Sequence, residues 1–349
     1  MNTSPAPPAN ILDYRFIDLQ AQMGLWRQPR FRAQQVWQWI YTQYAVDFGE
    51  MTNLPRALRE RLAQFYDLNP LSPVDEQVSD DRLTRKVLFR LSTGETIESV
   101  LMAYERGHTV CVSSQVGCPV GCAFCATGQG GFSRHLSAGE IVAQPLFFAR
   151  QLQARKQSVS NIVVMGMGEP LLNYEAVWQA VEAWNDPQGF GLGARRITIS
   201  TAGYVPGIEM LAQEHLQVGL AVSLHAADDV LRDQLVPLNQ RYPLNDLLGA
   251  CRAYVAQTRR RITIEYVLLA GVNDSPAQAK ALIKFLHGLK VKVNLIAFNP
   301  TPDLPFGRPA DDVVLAFQEI LHAARLTAMI RRSMGTDIAA ACGQLAAES

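Results

Sequence analysis

Four of the chain's six cysteines lie within "CVSSQVGCPVGCAFCATGQGGFSR", residues 111 to 134. Three of them, Cys118, Cys122 and Cys125, have the spacing C-x3-C-x2-C. Thiolates spaced this way can hold an iron–sulfur cube by three of its four irons, which leaves the fourth iron open to another ligand. A structural zinc site is the alternative; zinc normally takes four protein ligands in paired spacing, and no second pair follows here. Stable disulfides are disfavoured. "MNTSPAPPAN" lacks a basic start followed by an apolar stretch, so it is no secretory signal, and a cytoplasmic, reducing setting is expected. Gly117, Pro119, Gly121 and Gly128 keep the loop off helical geometry.

The remaining groups with chemical capacity are scattered. "GMGEP" carries Gly168 and Glu169, which alone reads as a tight βα turn with a capping carboxylate. Ser200 ends one strand candidate, the triplet Ser223, Leu224 and His225 ends another, and Asn299 follows a third. Glu98 alternates with apolar neighbours in "ETIESVLMAY", as a solvent-facing strand residue would. Cys342, Cys111 and Cys251 read singly as small buried residues.

The elements that must position these groups follow from periodicity. Residues 1–10 read as a flexible tail and 11–75 as a helical unit. In "FRAQQVWQWIYTQY", Phe31, Val36, Trp37, Ile40 and Tyr44 share one helical face. "NLPRALRERLAQFY" places Asn53 as an N-cap with Pro55 inside the helix. "NPLSPVDE" breaks the pattern, and 76–107 then reads as a β-hairpin extension with strands at 85–91 and 96–103. From 108 to 349 the rhythm is strand, loop, helix, repeated six times with near-continuous apolar strands, which indicates a parallel sheet covered by helices. Periodicity leaves open whether that sheet curls into a partial barrel. Hydrophobic residues are 48% of the chain, enough for a sizeable core, and no apolar run is long enough for a membrane span. Net charge is zero, so nucleic acid would have to be met by local clusters such as Arg259–Arg261 or Arg331 and Arg332.

The three-cysteine spacing resembles that of the radical S-adenosylmethionine enzymes. The words "VVMGMGEPLLN", "ITISTAGYVPGI", "AVSLHAADD", "LVPLN", "NLIAFNP" and "ACGQLA", taken with the cysteine loop and "FRAQQVWQWIY", are similar to those of the adenine-C2 RNA methyltransferases of that class. The resemblance covers nearly the whole chain. It implies an α/β fold, a partial (β/α)6 barrel with a small N-terminal helical domain. It also implies a [4Fe–4S] cluster on Cys118, Cys122 and Cys125, with two S-adenosylmethionine molecules used per turnover. Gly168, Glu169, Ser200, Ser223, Leu224, His225 and Asn299 would contact that cofactor. Cys342 would carry the methyl group, Cys111 would release the product through a transient disulfide, and Glu98 would accept the ring proton. The implied partners are 23S rRNA, tRNA and a reductant such as flavodoxin, with the protein a monomer. Methylation at C8 of the same adenine is the neighbouring outcome, and a noncatalytic zinc-bound RNA-binding protein the alternative of another class.

Overall fold

The computed structural model describes residues 8–301 and 304–346. Its centre is one ten-stranded sheet: β1 (Leu71–Val78), β2 (Thr84–Leu91), β3 (Thr96–Tyr104), β4 (Gly107–Cys111), β5 (Val159–Val164), β6 (Ile197–Thr201), β7 (Gly219–Ser223), β8 (Ile262–Leu268), β9 (Val291–Ala297) and β10 (Ala328–Ile330). Each strand pairs with the next in chain order. Pairing is antiparallel from β1 to β4 and parallel from β4 to β10. The six expected β–α steps are all present. The expected hairpin is not a separate extension, because β2 and β3 continue the same sheet.

β1 itself was hidden in the sequence. Its residues read as breakers, and it crosses the expected boundary between residues 75 and 76. It is an edge strand, almost wholly exposed, with a bulge between Pro73 and Asp75. Edges tolerate proline because the missing N–H faces solvent. The helix Asp229–Leu235 and the short strand β10 also went unforeseen, being too brief for a periodic signal.

The N-terminal unit is three helices, Phe16–Leu25, Phe31–Tyr41 and Arg56–Phe65. Val36, Trp37 and Ile40 are buried as expected, but Phe31 is exposed under the Arg32 guanidinium and Tyr44 lies beyond the helix end. Asn53 is no cap. The helix starts at Arg56, and the Asn53 amide oxygen instead accepts from Trp39 Nε1 at 2.7 Å. Ala9 and Asn10 belong to structure rather than to a tail, pairing in parallel with Tyr66 and Asp67; residues 1–7 of the expected tail lie outside the described residues. The unit shares a continuous apolar core with the helices flanking β4 and β5. Asp13 accepts from Gly139 N, and the Arg150 guanidinium donates to the carbonyls of Tyr44 and Ala45.

The loops at the C-terminal ends of β6 and β7 are tied by one buried cation. Arg232 is fully buried and donates to the carbonyls of Ala202 (2.6 Å) and Leu224 (3.0 Å) and to Asn239 Oδ1 (2.7 Å). Asn239 in turn donates to Asp229 and Asp233, so the charge is balanced through a relay. Burial lowers the Arg232 pKa to about 10, leaving it a cation at neutral pH. Arg232→Met should strand several buried acceptors. A loss of about 3–5 kcal/mol is expected, as for other broken buried charge networks. Chemical denaturation of the two proteins measures it, and an unchanged midpoint would contradict the tie.

Candidate active site

The cysteine loop is held before any metal is considered. It leaves β4 and enters a small hairpin, Gln115–Gly117 against Phe132–His135. Arg134 of that hairpin pairs with Glu140 at 2.8 Å, and Glu140 also closes a capping box with Ser137 at the start of the helix Ala138–Gln153. Beneath the loop sits a second, smaller apolar core of Val120, Phe124, Leu235, Val236, Val267 and Phe298, against which all three cysteines rest half-buried. Burial raises the thiol pKa of each: Cys118 to about 12, Cys122 well above its ordinary value, and Cys125 upward as well. Three protonated thiols in one apolar cradle need a strongly cationic centre to exist as thiolates, which an iron–sulfur cube supplies. Among the described residues no group of three or more His, Cys, Asp or Glu side chains converges on a single ion. Three thiols on one cavity wall are the donor set that a cube held by three of its four irons takes.

The three thiols line one cavity with Gly168, Glu169, Ser200, Ser223, His225 and Asn299. Six of the seven expected cofactor contacts are thus gathered from four strand ends. Leu224 is not. It is fully buried, with its N–H on Glu265 O and its carbonyl on Arg232, so it serves the wall from behind. Gly168 has φ +107° and a Cβ there would meet Gln115 and Ser114 under 3 Å, so the turn admits no side chain. Glu169 is buried and accepts from Ala202 N (2.7 Å) and Leu171 N (3.1 Å). Burial outweighs those bonds and raises its pKa to about 7. His225 is buried, its pKa lowered by burial to about 3, and its Nδ1 accepts from Val267 N. The ring is therefore neutral with its proton on Nε2. Ser200 and Ser223 hydroxyls lie 3.4 Å apart, and Asn299 Oδ1 is buried without a partner.

A second cavity adjoins the first. Cys125, Met165, Gly166, Ile296, Arg331 and Cys342 belong to both, while Cys111 and Tyr104 open only onto the second. Cys342 is exposed on the dividing wall. Cys111 ends β4, buried, its pKa pushed to about 12 by burial and next by the neighbouring Cys342. All six cysteines are free thiols in the structure. Cys251 is in the core as expected.

Glu98 corrects a simple reading of strand alternation. It is buried, not solvent-facing, and shares a sheet face with Met102 and Tyr104. Its Oε1 pairs with Lys86 at 2.9 Å and its Oε2 accepts from Ala346 N at 2.8 Å. It does not itself line either cavity. Two charged residues of the cofactor cavity were not foreseen as site residues, Glu265 and Arg331. Arg331 stood there only as part of a charge pair, since β10 that carries it left no pattern. Glu265 Oε1 accepts from Asn294, and its Oε2 has no partner.

A strand-end cavity holding three thiols and a buried carboxylate, in a partly wound parallel sheet, defines a radical S-adenosylmethionine enzyme. Residues 112–283 match the Radical SAM superfamily, and residues 9–68 match the ribosomal RNA large subunit methyltransferase N-terminal domain. A "radical SAM methyltransferase" from Sphaerobacter thermophilus superposes with TM-score 0.96 at 52% identity, over 98% of this chain and 100% of that one. A "probable dual-specificity RNA methyltransferase RlmN" of Chloroflexus aurantiacus is 49% identical, covering 96% of this chain and 92% of the relative. A "dual-specificity RNA methyltransferase RlmN" of Syntrophobacter fumaroxidans is 46% identical, covering 98% of this chain and 99% of the relative. The chain belongs to the family of RlmN dual-specificity RNA methyltransferases. It is a radical S-adenosylmethionine RNA methyltransferase and uses a [4Fe–4S] cluster and two molecules of S-adenosylmethionine per turnover.

Two outcomes follow from this geometry. Anaerobic reconstitution should load about four irons per chain, and Cys118→Ala, Cys122→Ala or Cys125→Ala should each abolish loading; full iron content in any of them would displace that cysteine from the ligand set. Glu169 gives a pH signature in the cluster-free protein. Its folded pKa lies above the ordinary 4.5, so the native state binds the extra proton and stability falls as pH rises from 4.5 through about 7. Glu169→Gln should flatten that decline in denaturation curves taken at several pH values, and parallel curves for both proteins would contradict the assignment.

Proposed function

We propose that this chain methylates carbon 2 of one adenine in 23S rRNA and of the adenine 3′ to the anticodon in some tRNAs. The observation that carries the reading is Cys342, an exposed thiol on the wall between a cavity built for S-adenosylmethionine and a second cavity that also holds Cys111. Carbon 2 of adenine is electron-poor and does not attack an electrophilic methyl group. A carrier thiol that can face both cavities resolves this. The site fits a cluster on Cys118, Cys122 and Cys125, with the cofactor ammonium on Glu169 and the turn at Gly168. Ser200, Ser223, His225 and Asn299 are the further polar contacts of that cavity, with Leu224 supporting them. When bound, the cluster supplies the electron for radical chemistry.

The protein's own residues do the rest. The Cys342 thiolate takes a methyl group by displacement, so its sulfur gains a carbon and the sulfonium donor leaves as a thioether. The S-methyl group then gives up one hydrogen atom to the radical that a second cofactor molecule would supply, and the carbon left with the unpaired electron joins carbon 2 of the adenine ring. Cys111 gives up its proton and attacks the Cys342 sulfur, the carbon–sulfur bond breaks with its pair toward the base to leave a methyl group, the remaining odd electron would return to the cluster, and a disulfide forms that a reductant must reopen. Cys111 is buried and protonated at rest, which keeps it from attacking early. Glu98 is the proton acceptor. Ala346 N has to leave its Oε2 first, which couples proton removal to movement of the C-terminal segment. RNA of this kind points to the cytoplasm, a flavodoxin-type reductant and a monomer working alone. No helix among the described residues is long and apolar enough to cross a membrane.

Mass spectrometry of nucleosides from RNA of cells with and without the gene tests the assignment. Loss of 2-methyladenosine from both RNA classes is expected. Loss of 8-methyladenosine instead, or of neither, would overturn it. Cys111→Ala should still form the bond to RNA but not release it, so the protein should run on denaturing gels as a nuclease-sensitive RNA adduct. Cys342→Ala should give no adduct and no product. A Cys111→Ala protein free of RNA with normal turnover would exclude the two-thiol release.

A further inference from the structure

The second cavity is where the target base must lie, because both thiols open onto it. Its walls are largely apolar: Met102, Val163, Met165, Ile296, Met334 and Leu345. No carboxylate lines it among the described residues. The polar exceptions are few. Thr127 is already spent on Leu345 O at 2.6 Å. Arg332 is exposed, suited to a phosphate outside rather than to a base within.

Arg331 differs from both. It is half-buried and follows the last residue of β10, its backbone N–H bonded to Leu295 O at 2.8 Å, so its backbone is held by the sheet. Its side chain lines both cavities on the same wall as Cys342. None of the hydrogen bonds or ion pairs among the described residues uses its guanidinium. The charges that act on it most are the Cys342 thiol, then Glu265, Tyr104 and Cys111, and together they raise its pKa above the ordinary value. An unpaired fork of N–H donors on an anchored backbone, beside the methyl-carrying sulfur in an otherwise apolar slot, asks for a flat ring with acceptor nitrogens.

Resting on the functional reading above, we infer that Arg331 is a further catalytic residue, donating a hydrogen bond to a ring nitrogen that flanks carbon 2 of the target adenine. Carbon 2 lies between two such nitrogens, and each is an acceptor. When the Cys342 S-methylene carbon, bearing one unpaired electron, adds to carbon 2, one carbon–carbon bond forms and the unpaired electron passes into the ring. No atom leaves in that step. Electron density rises on the flanking nitrogens, so a guanidinium donor already in place stabilises the adduct more than the starting ring. The same bond fixes which edge of the base faces the carrier. Discrimination follows, since a slot that must satisfy a half-buried guanidinium disfavours a ring offering carbon in place of nitrogen.

The test is a cycle between enzyme and substrate. Arg331→Met and Arg331→Lys proteins carrying the reconstituted cluster are given RNA with adenosine, 1-deazaadenosine or 3-deazaadenosine at the target position. Methyl occupancy of Cys342, affinity for S-adenosylmethionine and C2-methyl product are read for each. Arg331→Met should slow methylation of adenosine RNA by about tenfold to a hundredfold, the worth of one charge-assisted bond. Rates are taken per methylated Cys342 at saturating S-adenosylmethionine, so changes in carrier loading or cofactor affinity do not enter them. The deaza RNA lacking the contacted nitrogen should be slow with the unaltered enzyme and no slower with Arg331→Met. Arg331→Lys should recover part of the rate on adenosine RNA. Equal slowing by Arg331→Met on all three RNAs overturns the inference, and so does loss confined to Cys342 methylation or to cofactor binding. Failure of the unaltered enzyme to make any C2 product, with Cys342 methylated, overturns the functional reading itself and is told apart by that pattern.

Discussion

The arrangement depends on how the C-terminal segment is strapped across the open side of the sheet. A carrier thiol that serves two cavities has to be held against both, and loops are rarely held well. Here the hold is by backbone. Ala126 N donates to Gly343 O at 2.8 Å, and Thr127 Oγ1 donates to Leu345 O at 2.6 Å, tying the segment to the cysteine loop. Gln344 Nε2 donates to Pro300 O, Lys86 Nζ to Ala339 O, and Asp337 accepts from Asp80 N, tying it to β9 and to the hairpin. Gly335 allows the close pass: at φ +64°, a Cβ there would meet Thr84 Cγ2 at 2.6 Å. Cys342 is exposed within this strap because everything around it is spoken for.

The strap explains why the sheet is mixed. Parallel strands place the cysteine loop, Glu169, Ser200, Ser223 and Asn299 on one rim, as parallel α/β folds do. That rim alone would hold a cofactor and leave the substrate side bare. Strands β2 and β3 add the other wall. Met102 and Tyr104 line the second cavity, and Lys86 with Glu98 grips the far end of the strap. Glu98 is thereby a structural anchor for the C-terminal segment. Arg232 plays the matching part on the cofactor side, fixing two strand-end loops from beneath.

Much of this was legible in the sequence because it is local. The C-x3-C-x2-C spacing sits in one loop, and the six strand–helix repeats are each long enough for a periodic signal. What escaped was set by distant contacts. β1 is an edge strand whose pairing with β2 no alternation announces. β10 is three residues long, so Arg331 could not be placed. Glu98 alternates like a surface residue, but its strand is buried on both faces, and Lys86 and the C-terminal segment bond its carboxylate. Leu224 lies in a motif whose neighbours Ser223 and His225 do line the cavity, yet it turns to the core. Asn53 and Pro55 carry the right residue types for a helix start, but Trp39 claims the asparagine first.

The central claim is that Cys342 is a methyl carrier rather than a spectator thiol. Its most direct test is the mass of the peptide containing Cys342, from protein expressed with the cluster cysteines intact and again with Cys118, Cys122 and Cys125 replaced by alanine. The account predicts a Cys342 peptide heavier by one CH2 in the intact protein, with the added carbon mapping to sulfur, and an unmodified thiol in the cluster-free variant. An unmodified Cys342 in intact protein that nevertheless methylates RNA would contradict it.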